Sequence, residues 1–570
     1  MPLGYVRAVS APEHANPSAR PGARARGGPR SLPRRSDTAA LPARTGVSRL
    51  SAPAWGAIAA TVAFVAVTCW WLTQDRSIPI YDAGDQLETA LLYHNMLQAG
   101  NLLGPFTYDN IYPILGHVVG AVAALIGGVS VASPIIGENV VFIPLLALGC
   151  YQTGRLLFGR LAGMMAVVFV LGSPLLISMF HVFLLDGPLT AMVALSVWLI
   201  LASEDFSRPG VAGLAGLAVG LGVNVKVQFA LFLGGLVVIV LLHGGWRNWR
   251  GFAVFAVVAL VVGLPWYIAH SSELGEMFEL ASSGGGTPAG NIPPTLSSAN
   301  YTWYFWSVLN SQLLAPLAVL AAGGMLWMLV TLVRDRGTPG ARLEFFAGGF
   351  VAWVVITFPD SHHDIRYGMP LLGYLAVVAT GWITRLPRTA RLATIALLIL
   401  GVAANTLGID FGVGREVKVT LVRSPPATEQ LPDRIILFTT TGFLASAPSR
   451  DGDVPGLLEA MRSEGVRTVM WSAEQSALPD FSAAGLVPLA QIARLAPAIT
   501  RSLEYSESAS VATLVHESVH ARAAPTCTRL SDGTGVWVVR YDTAARKLAF
   551  YCPTRRPRFY DPEAVGSPAG

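Results

Sequence analysis

Twelve long apolar runs follow one another along this chain, and they constrain its fold more than any other feature. Each is about as long as the roughly 20 residues that a helix needs to cross a bilayer. Charged residues are only 13% of the 570 residues, whereas hydrophobic residues are 52%. Because so few polar residues cannot cover a soluble globule of this size, the sequence predicts a mainly helical, polytopic membrane protein. The runs lie near residues 53–73, 111–131, 134–153, 161–180, 187–203, 210–225, 227–243, 251–268, 313–333, 343–359, 367–384 and 390–409.

An arginine-rich tail precedes the first apolar run. Residues 1–50 contain nine arginines but only two acidic residues, Glu13 and Asp37. A segment so rich in Pro, Gly, Ala and Ser cannot bury a core, so it is predicted to be disordered. The tail has no base-reading motif, which favours a cytoplasmic positive flank and no nucleic-acid partner. The first run is too long for a signal peptide and lacks an evident cleavage site.

The placement of arginine decides how many runs cross the membrane, because basic loop residues are enriched on the cytoplasmic side. If all twelve runs spanned, ten loop arginines would lie outside. If the run 111–131 instead lies on the outer interface, as Tyr112, Pro113 and His117 favour, all ten lie inside. The sequence therefore predicts about eleven spans in a bacterial plasma membrane, with a cytoplasmic N-terminus. The ten residues are Arg155, Arg160, Arg247, Arg250, Arg334, Arg336, Arg342, Arg385, Arg388 and Arg391.

Three parts are predicted along the chain: the tail 1–50, a membrane catalytic domain 51–410 and a soluble extracytoplasmic domain 411–570. The last part alternates strand-like and helix-like segments, which favours an α/β domain that begins with one βαβ unit. Cys527 and Cys552 lie in this domain, where an oxidising compartment would allow a disulfide; two unpaired thiols are the alternative. The predicted elements are strand 434–440, helix 454–464, strand 466–471 and strand 535–541.

Charged side chains at membrane level are few in this chain. Because burial of a charge in the membrane costs free energy, the charges that occur there usually serve a function. Lys226 is the one lysine between residues 51 and 408. In the eleven-span topology it lies on the outer face, together with several carboxylates and Arg366. The candidate site residues on this face are Asp82, Asp85, Glu88, Asp109, Glu138, His181, Asp186, Lys226, Arg366 and Tyr367.

The candidate residues have the chemistry of a site that transfers a group from a lipid-linked phosphate. A carboxylate in the first outer loop can act as general base toward a hydroxyl. Lys226 and Arg366 can neutralise a phosphate, and the planar guanidinium suits bidentate contact. Their positive charge would stabilise the negative charge that develops on a leaving phosphate.

Five of these residues also have a structural explanation, and the sequence leaves both the structural and the functional role open. Asp82 or Asp85 can cap the helix that begins near residue 85, and Asp186 can cap the span after it. Lys226 can extend its ammonium group to the interface, and Arg366 can simply flank a span.

Two further patterns favour structural roles. His362, His363 and Asp364 lack an established metal-ligand spacing and are interpreted as a solvated loop. The aromatic residues of 301–306 are interpreted as part of an interfacial belt. The sequence therefore requires no cofactor, although a divalent metal is compatible with it.

Short motifs follow one another through residues 51–410. They are Asp85-Gln86 with Met96-Leu97, YPIL at 112–115, GRLLFGR at 154–160, LDGPLT at 185–190, GLGVNVK at 220–226 and RYGMP at 366–370. In order and spacing they resemble the GT-C superfamily of polyprenyl-phosphate-sugar-dependent glycosyltransferases. The closest likeness is to glycosyltransferase family 39, the protein O-mannosyltransferases and lipid A aminoarabinose transferases. One departure is Gln86, where the family has the Glu of an Asp-Glu pair.

The resemblance implies an inverting glycosyltransferase on the outer face of the membrane. An acceptor hydroxyl would attack the anomeric carbon of a sugar carried on polyprenyl phosphate, with Asp85 as base and Asp82 as its substitute. Asp186 would orient a substrate, and residues 269–312 would form a flexible cover. The implied partners are the donor, the bilayer and a protein, lipid or glycan acceptor. The donor phosphate would be bound by Lys226, Arg366 and Tyr367.

Two other classes of function are alternatives to a glycosyltransferase. A transporter or flippase for lipid-linked glycans would favour midplane charges and an internal repeat, and neither is evident. A polysaccharide ligase or polymerase would favour arginine-rich outer loops, whereas the outer loops here are poor in arginine. The glycosyltransferase is therefore the preferred prediction.

The predicted topology can be tested by labelling an introduced cysteine in intact cells. A Gln430→Cys variant should react with a membrane-impermeant maleimide added outside, because residue 430 follows the eleventh predicted span. A Thr338→Cys variant, in a loop predicted to lie inside, should react only after the membrane is permeabilised. Labelling of residue 430 from the cytoplasmic side alone would contradict the eleven-span topology.

Overall fold

The computed structural model describes residues 50–74, 82–108, 110–128, 132–272, 275, 296–334, 340–358 and 363–408, together with six strands between residues 434 and 560. The described part is mainly helical. The tail 1–50 and the helix predicted at 454–464 lie almost wholly outside the described residues, as do Cys527 and Cys552.

Sixteen α-helices occur in the described part of the chain. They are α1 (Ala52–Gln74), α2 (Asp82–Gln98), α3 (Gly104–Thr107), α4 (Leu115–Gly127), α5 (Ala132–Phe158), α6 (Arg160–Leu171), α7 (Pro174–Met179), α8 (Asp186–Ala202), α9 (Pro209–Val223), α10 (Phe229–Leu242), α11 (Trp249–Ala269), α12 (Ser298–Ser307), α13 (Leu314–Arg334), α14 (Ala341–Thr357), α15 (Leu372–Gly381) and α16 (Arg388–Leu407). Three 3₁₀ turns and one π-helical segment connect some of them: Gly245–Asn248, Met369–Leu371, Trp382–Arg385 and Val308–Leu313.

Every apolar run of the sequence contains a helix. In the described part, five helical segments are long and apolar enough to cross a membrane, judged by length and composition. They are Ala52–Thr73, Ala132–Phe158, Gly245–Ala269, Ser298–Arg334 and Arg388–Leu407. Five shorter apolar helices of 10–17 residues accompany them, among them α4 within the run 111–131. These helices support an integral membrane protein, and the number of eleven spans remains a prediction.

Helix α8 lies in the interior of the helical assembly. Nearly all of its residues are buried, and it packs against α5 and α9. By contrast, only 17% of the apolar window of α11 is buried, so its apolar surface faces outward, where lipid would cover it. A helix that is apolar all round and surrounded by others belongs to the core. The N-terminus of α8 therefore brings Asp186 into a protected position.

Close helix packing in this assembly depends on glycine at particular positions. Gly216 of α9 faces α11, and a Cβ atom there would lie 2.3 Å from the carbonyl oxygen of Phe255. Backbone cannot move aside as a flexible side chain can, so the two helices approach this closely only because residue 216 lacks a side chain. Gly210, also in α9, would have nothing within 4 Å of an added Cβ atom.

Six strands form one sheet in the C-terminal part. They are β1 (Arg434–Thr439), β2 (Thr468–Ala473), β3 (Val511–His516), β4 (Gly535–Asp542), β5 (Lys547–Phe550) and β6 (Arg558–Tyr560). The sheet order is β1-β3-β2-β4-β5-β6, and every neighbouring pair is antiparallel. In register, Phe438 opposes Ala512 and Trp471 opposes Trp537.

The three predicted strands are present within two residues of their predicted bounds, and they are three of the six strands in the sheet. β1 and β2 run in the same direction, and β3 lies between them and pairs with both. A local βαβ pattern cannot reveal this, because the inserted strand comes from about 40 residues further along the chain. The α/β class of this domain remains a prediction, since its expected helix is outside the described residues.

A glycine substitution tests the close approach of α9 and α11. Gly216→Ala should lower the thermal stability of the detergent-solubilised protein, because overpacking of this kind costs about 1–3 kcal/mol. Gly210→Ala, in the same helix, should leave the melting temperature unchanged or raise it slightly, since it meets open space. Equal destabilisation by both variants would contradict the packing described here.

Candidate functional site

A buried ion pair joins the start of α8 to the turn between α9 and α10. The Nζ atom of Lys226 donates to Oδ1 of Asp186 at 2.9 Å. The two side chains are only 11% and 3% exposed. Two opposite charges this far from solvent must stay paired, because an isolated buried charge is strongly unfavourable. Asp186 is thus held by Lys226, and the residue at the N-cap position of α8 is Leu185 instead.

The turn that carries Lys226 is fixed by hydrogen bonds from three neighbouring segments. The side-chain amide of Asn224 donates to the carbonyl oxygens of Gly220 and Val262, each at 2.9 Å. The backbone N–H of Leu115 donates to the carbonyl oxygen of Asn224 at 2.8 Å. The Tyr267 hydroxyl donates to the carbonyl oxygen of Val223 at 2.6 Å. The backbone of this turn is therefore held by α4, α9 and α11 together, and the bond to Asp186 holds the ammonium group of Lys226.

Arg366 lies in the turn before α15, and its guanidinium joins two further carboxylates to the site. Its Nη2 atom donates to Oδ2 of Asp82 at 2.9 Å, and its Nε atom donates to Oδ2 of Asp364 at 2.8 Å. Its Nη1 atom lies 4.0 Å from Oδ2 of Asp186. Burial lowers the pKa of Arg366, but the bonds to Asp364 and the charges of Asp186 and Asp82 raise it more, so the net shift is upward.

These contacts bring residues from four distant segments into one charged cluster. It contains the carboxylates of Asp82, Asp186 and Asp364 and the cations of Lys226 and Arg366. Its formal charge is −1, from three negative and two positive groups. An anion such as a phosphate can bind both cations here only if a carboxylate gives way or its charge is offset.

Two tyrosines border the cluster. Lys226 lies over the ring of Tyr367, with its Nζ atom 6.0 Å from the ring centroid. Tyr112 belongs to the segment before α4, and burial raises the pKa of its hydroxyl above the usual range, as do the nearby charges of Asp82 and Asp186. The phenol of Tyr112 is therefore a neutral hydrogen-bonding group next to the ion pairs.

Two other predicted residues, Glu138 and His181, are buried but form no bond to the cluster. Glu138 of α5 is fully buried, and neither carboxylate oxygen has a hydrogen-bond partner among the described residues. It lies beside Gly116, where an added Cβ atom would be 3.6 Å from Oε1 of Glu138. His181 is also buried and stacks on Trp71, with ring centroids 3.7 Å apart.

The unusual Gln86 has a defined partner in the structure. Its amide is buried and forms a hydrogen bond with Nε2 of His117, whose side chain is fully buried in α4. Nδ1 of the same ring lies 3.2 Å from the carbonyl oxygen of Pro113. A side-chain amide suits this position, because it carries both a donor and an acceptor and can therefore bond to Nε2 in either tautomer of the ring. The pair links α2 to α4 near the candidate site.

Some predicted site features lie outside what the structure describes. Asp85 and Glu88 are in α2, but their side chains are not described, and Asp109 and residues 276–295 of the predicted cover are outside the described residues. In the described ranges, no group of three His, Cys, Asp or Glu residues is arranged to hold a metal ion. His363 instead contacts the rings of Trp303 and Tyr304.

Asp364 is the residue of the cluster that the sequence prediction missed, because the run His362-His363-Asp364 was interpreted as a solvated loop. Its Oδ1 atom accepts from the backbone N–H of Arg366 at 2.8 Å, in addition to the guanidinium bonds of Oδ2. An aspartate two residues before an arginine is the available signal, since an Asp side chain commonly bonds to the backbone N–H two residues on.

Comparison with known proteins confirms the resemblance that the motifs predict. Residues 112–269 match the family model described as dolichyl-phosphate-mannose-protein mannosyltransferase. This segment includes Tyr112, Glu138, His181, Asp186 and Lys226. No curated protein matches the chain at a significant level.

Several solved structures are also similar to this chain. ArnT from Cupriavidus metallidurans has a TM-score of 0.47 in the apo state, at 19% identity, over 62% of this chain and 64% of that one. The same protein bound to undecaprenyl phosphate has a TM-score of 0.49, at 18% identity, over 63% and 65%. The Archaeoglobus fulgidus oligosaccharyltransferase tethered with an acceptor peptide has a TM-score of 0.41, at 11% identity, over 62% and 55%. This chain thus covers less than two thirds of the length of each.

Removal of one partner tests the buried ion pair. Lys226→Met should destabilise the protein by about 3–5 kcal/mol, because it leaves the Asp186 carboxylate uncompensated in a buried position. The double variant Lys226→Met with Asp186→Asn should recover much of this loss. The exposed pair of Arg208 and Glu204, 3.3 Å apart, is the control: Arg208→Ala should cost at most about 0.5 kcal/mol. Thermal melting that ranks the two single variants equally would contradict this picture.

Proposed function

We propose that this chain is an inverting membrane glycosyltransferase that moves a sugar from a polyprenyl-phosphate-linked donor to a hydroxyl of an acceptor. The observation that carries the proposal is the cluster in which Lys226 and Arg366 lie beside three carboxylates. Lys226 and Asp186 belong to the segment 112–269 that matches the mannosyltransferase family model. Such a transfer requires a binding site for the phosphate, which the cations can form, and a proton acceptor, which a carboxylate can be.

The two cations are proposed to bind the donor phosphate. Arg366 contributes a planar fork of donors, and Lys226 contributes a compact charge fixed by its turn. As the bond between the anomeric carbon and the phosphate oxygen breaks, its electron pair remains on that oxygen, and both cations stabilise the added charge. In a site this poorly solvated, the stabilisation is larger than it would be in water.

The proton acceptor is proposed to be a carboxylate at the start of α2. The acceptor hydroxyl gives up its proton to that carboxylate while its oxygen forms the new bond to the anomeric carbon from the opposite face, which inverts the configuration. Asp85 is the first candidate because it occupies the position of the base in the motif, and Asp82 is the second. Asp82 is half exposed, with 51% of its side chain accessible, so a hydroxyl substrate can reach it.

Asp186 is proposed to position Lys226. Its Oδ1 atom is engaged by the ammonium group, and its Oδ2 atom faces Nη1 of Arg366. The carboxylate therefore holds two cations at one place, where a phosphate would meet both. This assignment differs from the orientation of a sugar or acceptor that the motif alone suggests.

The side of the membrane and the class of acceptor are also part of the proposal. The reaction would occur on the outer face of a bacterial plasma membrane, with the tail inside and the domain 411–570 outside. The acceptor would be a protein, lipid or glycan hydroxyl. The transfer needs no cofactor in this proposal, because the two cations serve the leaving phosphate.

Donor use is the direct test of the proposed reaction. The chain purified in nanodiscs should convert at least one member of a panel of polyprenyl-phosphate sugars, with release of polyprenyl phosphate and inversion at the anomeric carbon. The same panel with nucleotide-activated sugars should give no product. Turnover of nucleotide sugars alone would overturn the proposed donor class.

The role of the base can be separated from donor binding. Asp85→Asn should lower the transfer rate by a factor of about 10² or more, since a positioned general base contributes about 10²–10⁴-fold. Binding of polyprenyl phosphate should stay within about twofold of the wild type. Asp205→Asn, a substitution at an acidic residue in the turn between α8 and α9, is the matched control. A rate close to that of the wild type in Asp85→Asn would move the role to Asp82.

A further inference from the structure

Arg366 is bonded to two carboxylates that are attached in different ways. Asp364 accepts from the backbone N–H of Arg366 at 2.8 Å and from its Nε atom at 2.8 Å, and a third bond joins Nη2 to the same carboxylate. Its side chain is 23% exposed. Three bonds within one short turn give Asp364 a fixed geometry relative to the guanidinium.

Asp82 is attached much more loosely. It is the first residue of α2 and lies 284 positions from Arg366 along the chain. One hydrogen bond of 2.9 Å, donated by Nη2 of Arg366, connects the two side chains. Its side chain is 51% exposed. A single ion pair that is half exposed to solvent contributes at most about 1 kcal/mol.

The guanidinium has two edges on which an oxyanion can bind in bidentate fashion. Asp364 occupies the edge formed by Nε and Nη2. The other edge is formed by Nη1 and Nη2, where Nη2 bonds to Asp82 and Nη1 lies 4.0 Å from Asp186. Asp186 is already held by Lys226, so Asp82 is the carboxylate that a phosphate on this edge would replace.

We infer that the two carboxylates on Arg366 act in opposite directions on donor binding. Asp364 is a positioning residue that holds the guanidinium with its free edge toward the donor phosphate. Asp82 occupies that edge until the phosphate replaces it. This inference rests on the proposed function, because it takes the donor phosphate as the ligand of Arg366 and Lys226.

Replacement of Asp82 by the donor phosphate on Arg366 sets the order in which donor and acceptor act. While Asp82 is bonded to Arg366, one of its carboxylate oxygens is engaged by Nη2. Once the phosphate takes this place, that oxygen becomes available at the solvent-accessible side of the cluster. The carboxylate is then able to accept a hydrogen bond from an acceptor hydroxyl, so the donor binds before the acceptor is activated.

The test is a binding measurement on a matched pair of variants, Asp82→Asn and Asp364→Asn. Each substitution removes one negative charge from the same guanidinium and keeps the size of the side chain. The full chain in nanodiscs is titrated with undecaprenyl phosphate, and undecaprenol, which lacks the phosphate, serves as the control ligand. Thermal melting of each variant verifies that it is folded, and Asp364→Ala replaces Asp364→Asn if the latter is not.

We expect the two substitutions to change the affinity for undecaprenyl phosphate in opposite directions. Asp82→Asn should bind undecaprenyl phosphate about threefold more tightly, because a weak competing ion pair is removed. Asp364→Asn should bind it about tenfold more weakly, because charge-assisted bonds that orient the guanidinium are lost. Affinity for undecaprenol should be the same in all three proteins, which a general structural defect would not preserve.

The possible results separate this inference from the proposed function. Tighter binding by both variants would mean that only the net charge matters, and weaker binding by both would mean that both carboxylates merely support the fold; either result overturns the inference alone. If the wild type does not distinguish undecaprenyl phosphate from undecaprenol, the proposed donor site itself is wrong.

Discussion

The ion pair between Asp186 and Lys226 is the constraint on which the rest of the site depends. Its two charges are buried in the helical assembly, so neither can exist there without the other. The pair ties the start of α8 to the turn after α9, and that turn is itself held by Leu115 and Val262. Charged residues are few in this chain, and burial of this ion pair costs free energy. A buried pair under these conditions is the physical argument for a functional role.

A second set of ion pairs lies next to this pair, and it is centred on Arg366. Arg366 shares its guanidinium between a firmly held carboxylate, Asp364, and an exposed one, Asp82. With three carboxylates and two cations, the cluster has one negative charge more than its positive charges can neutralise. If the proposed donor phosphate binds at Arg366, it has to displace the exposed carboxylate of Asp82, so this competition would limit the affinity for both the donor and the phosphate product.

Much of the helical architecture was predictable because the sequence pattern is strong. Each apolar run contains a helix, and the motifs around Asp186, Lys226 and Arg366 were recognised individually. Their association was predicted only as a shared face of the membrane, since no sequence spacing relates residues 82, 186, 226 and 366. Asp364 was missed because its role depends on the direction in which the Arg366 side chain leaves the turn. In the C-terminal sheet, three of the six strands were predicted, whereas the entry of β3 between β1 and β2 from a distant part of the chain was not.

The sequence by itself determined that this is a membrane protein, and it limited the candidate site to a few residues, because hydrophobicity and scarce charge are local properties of the chain. The tertiary structure decided which charges meet. It pairs Asp186 with Lys226 in preference to a helix cap, gives Arg366 two unequal carboxylates, and leaves Glu138 without a hydrogen-bond partner among the described residues. The reason is physical: the energy of an ion pair depends on distance and on burial, and both are set by helices that are far apart in sequence.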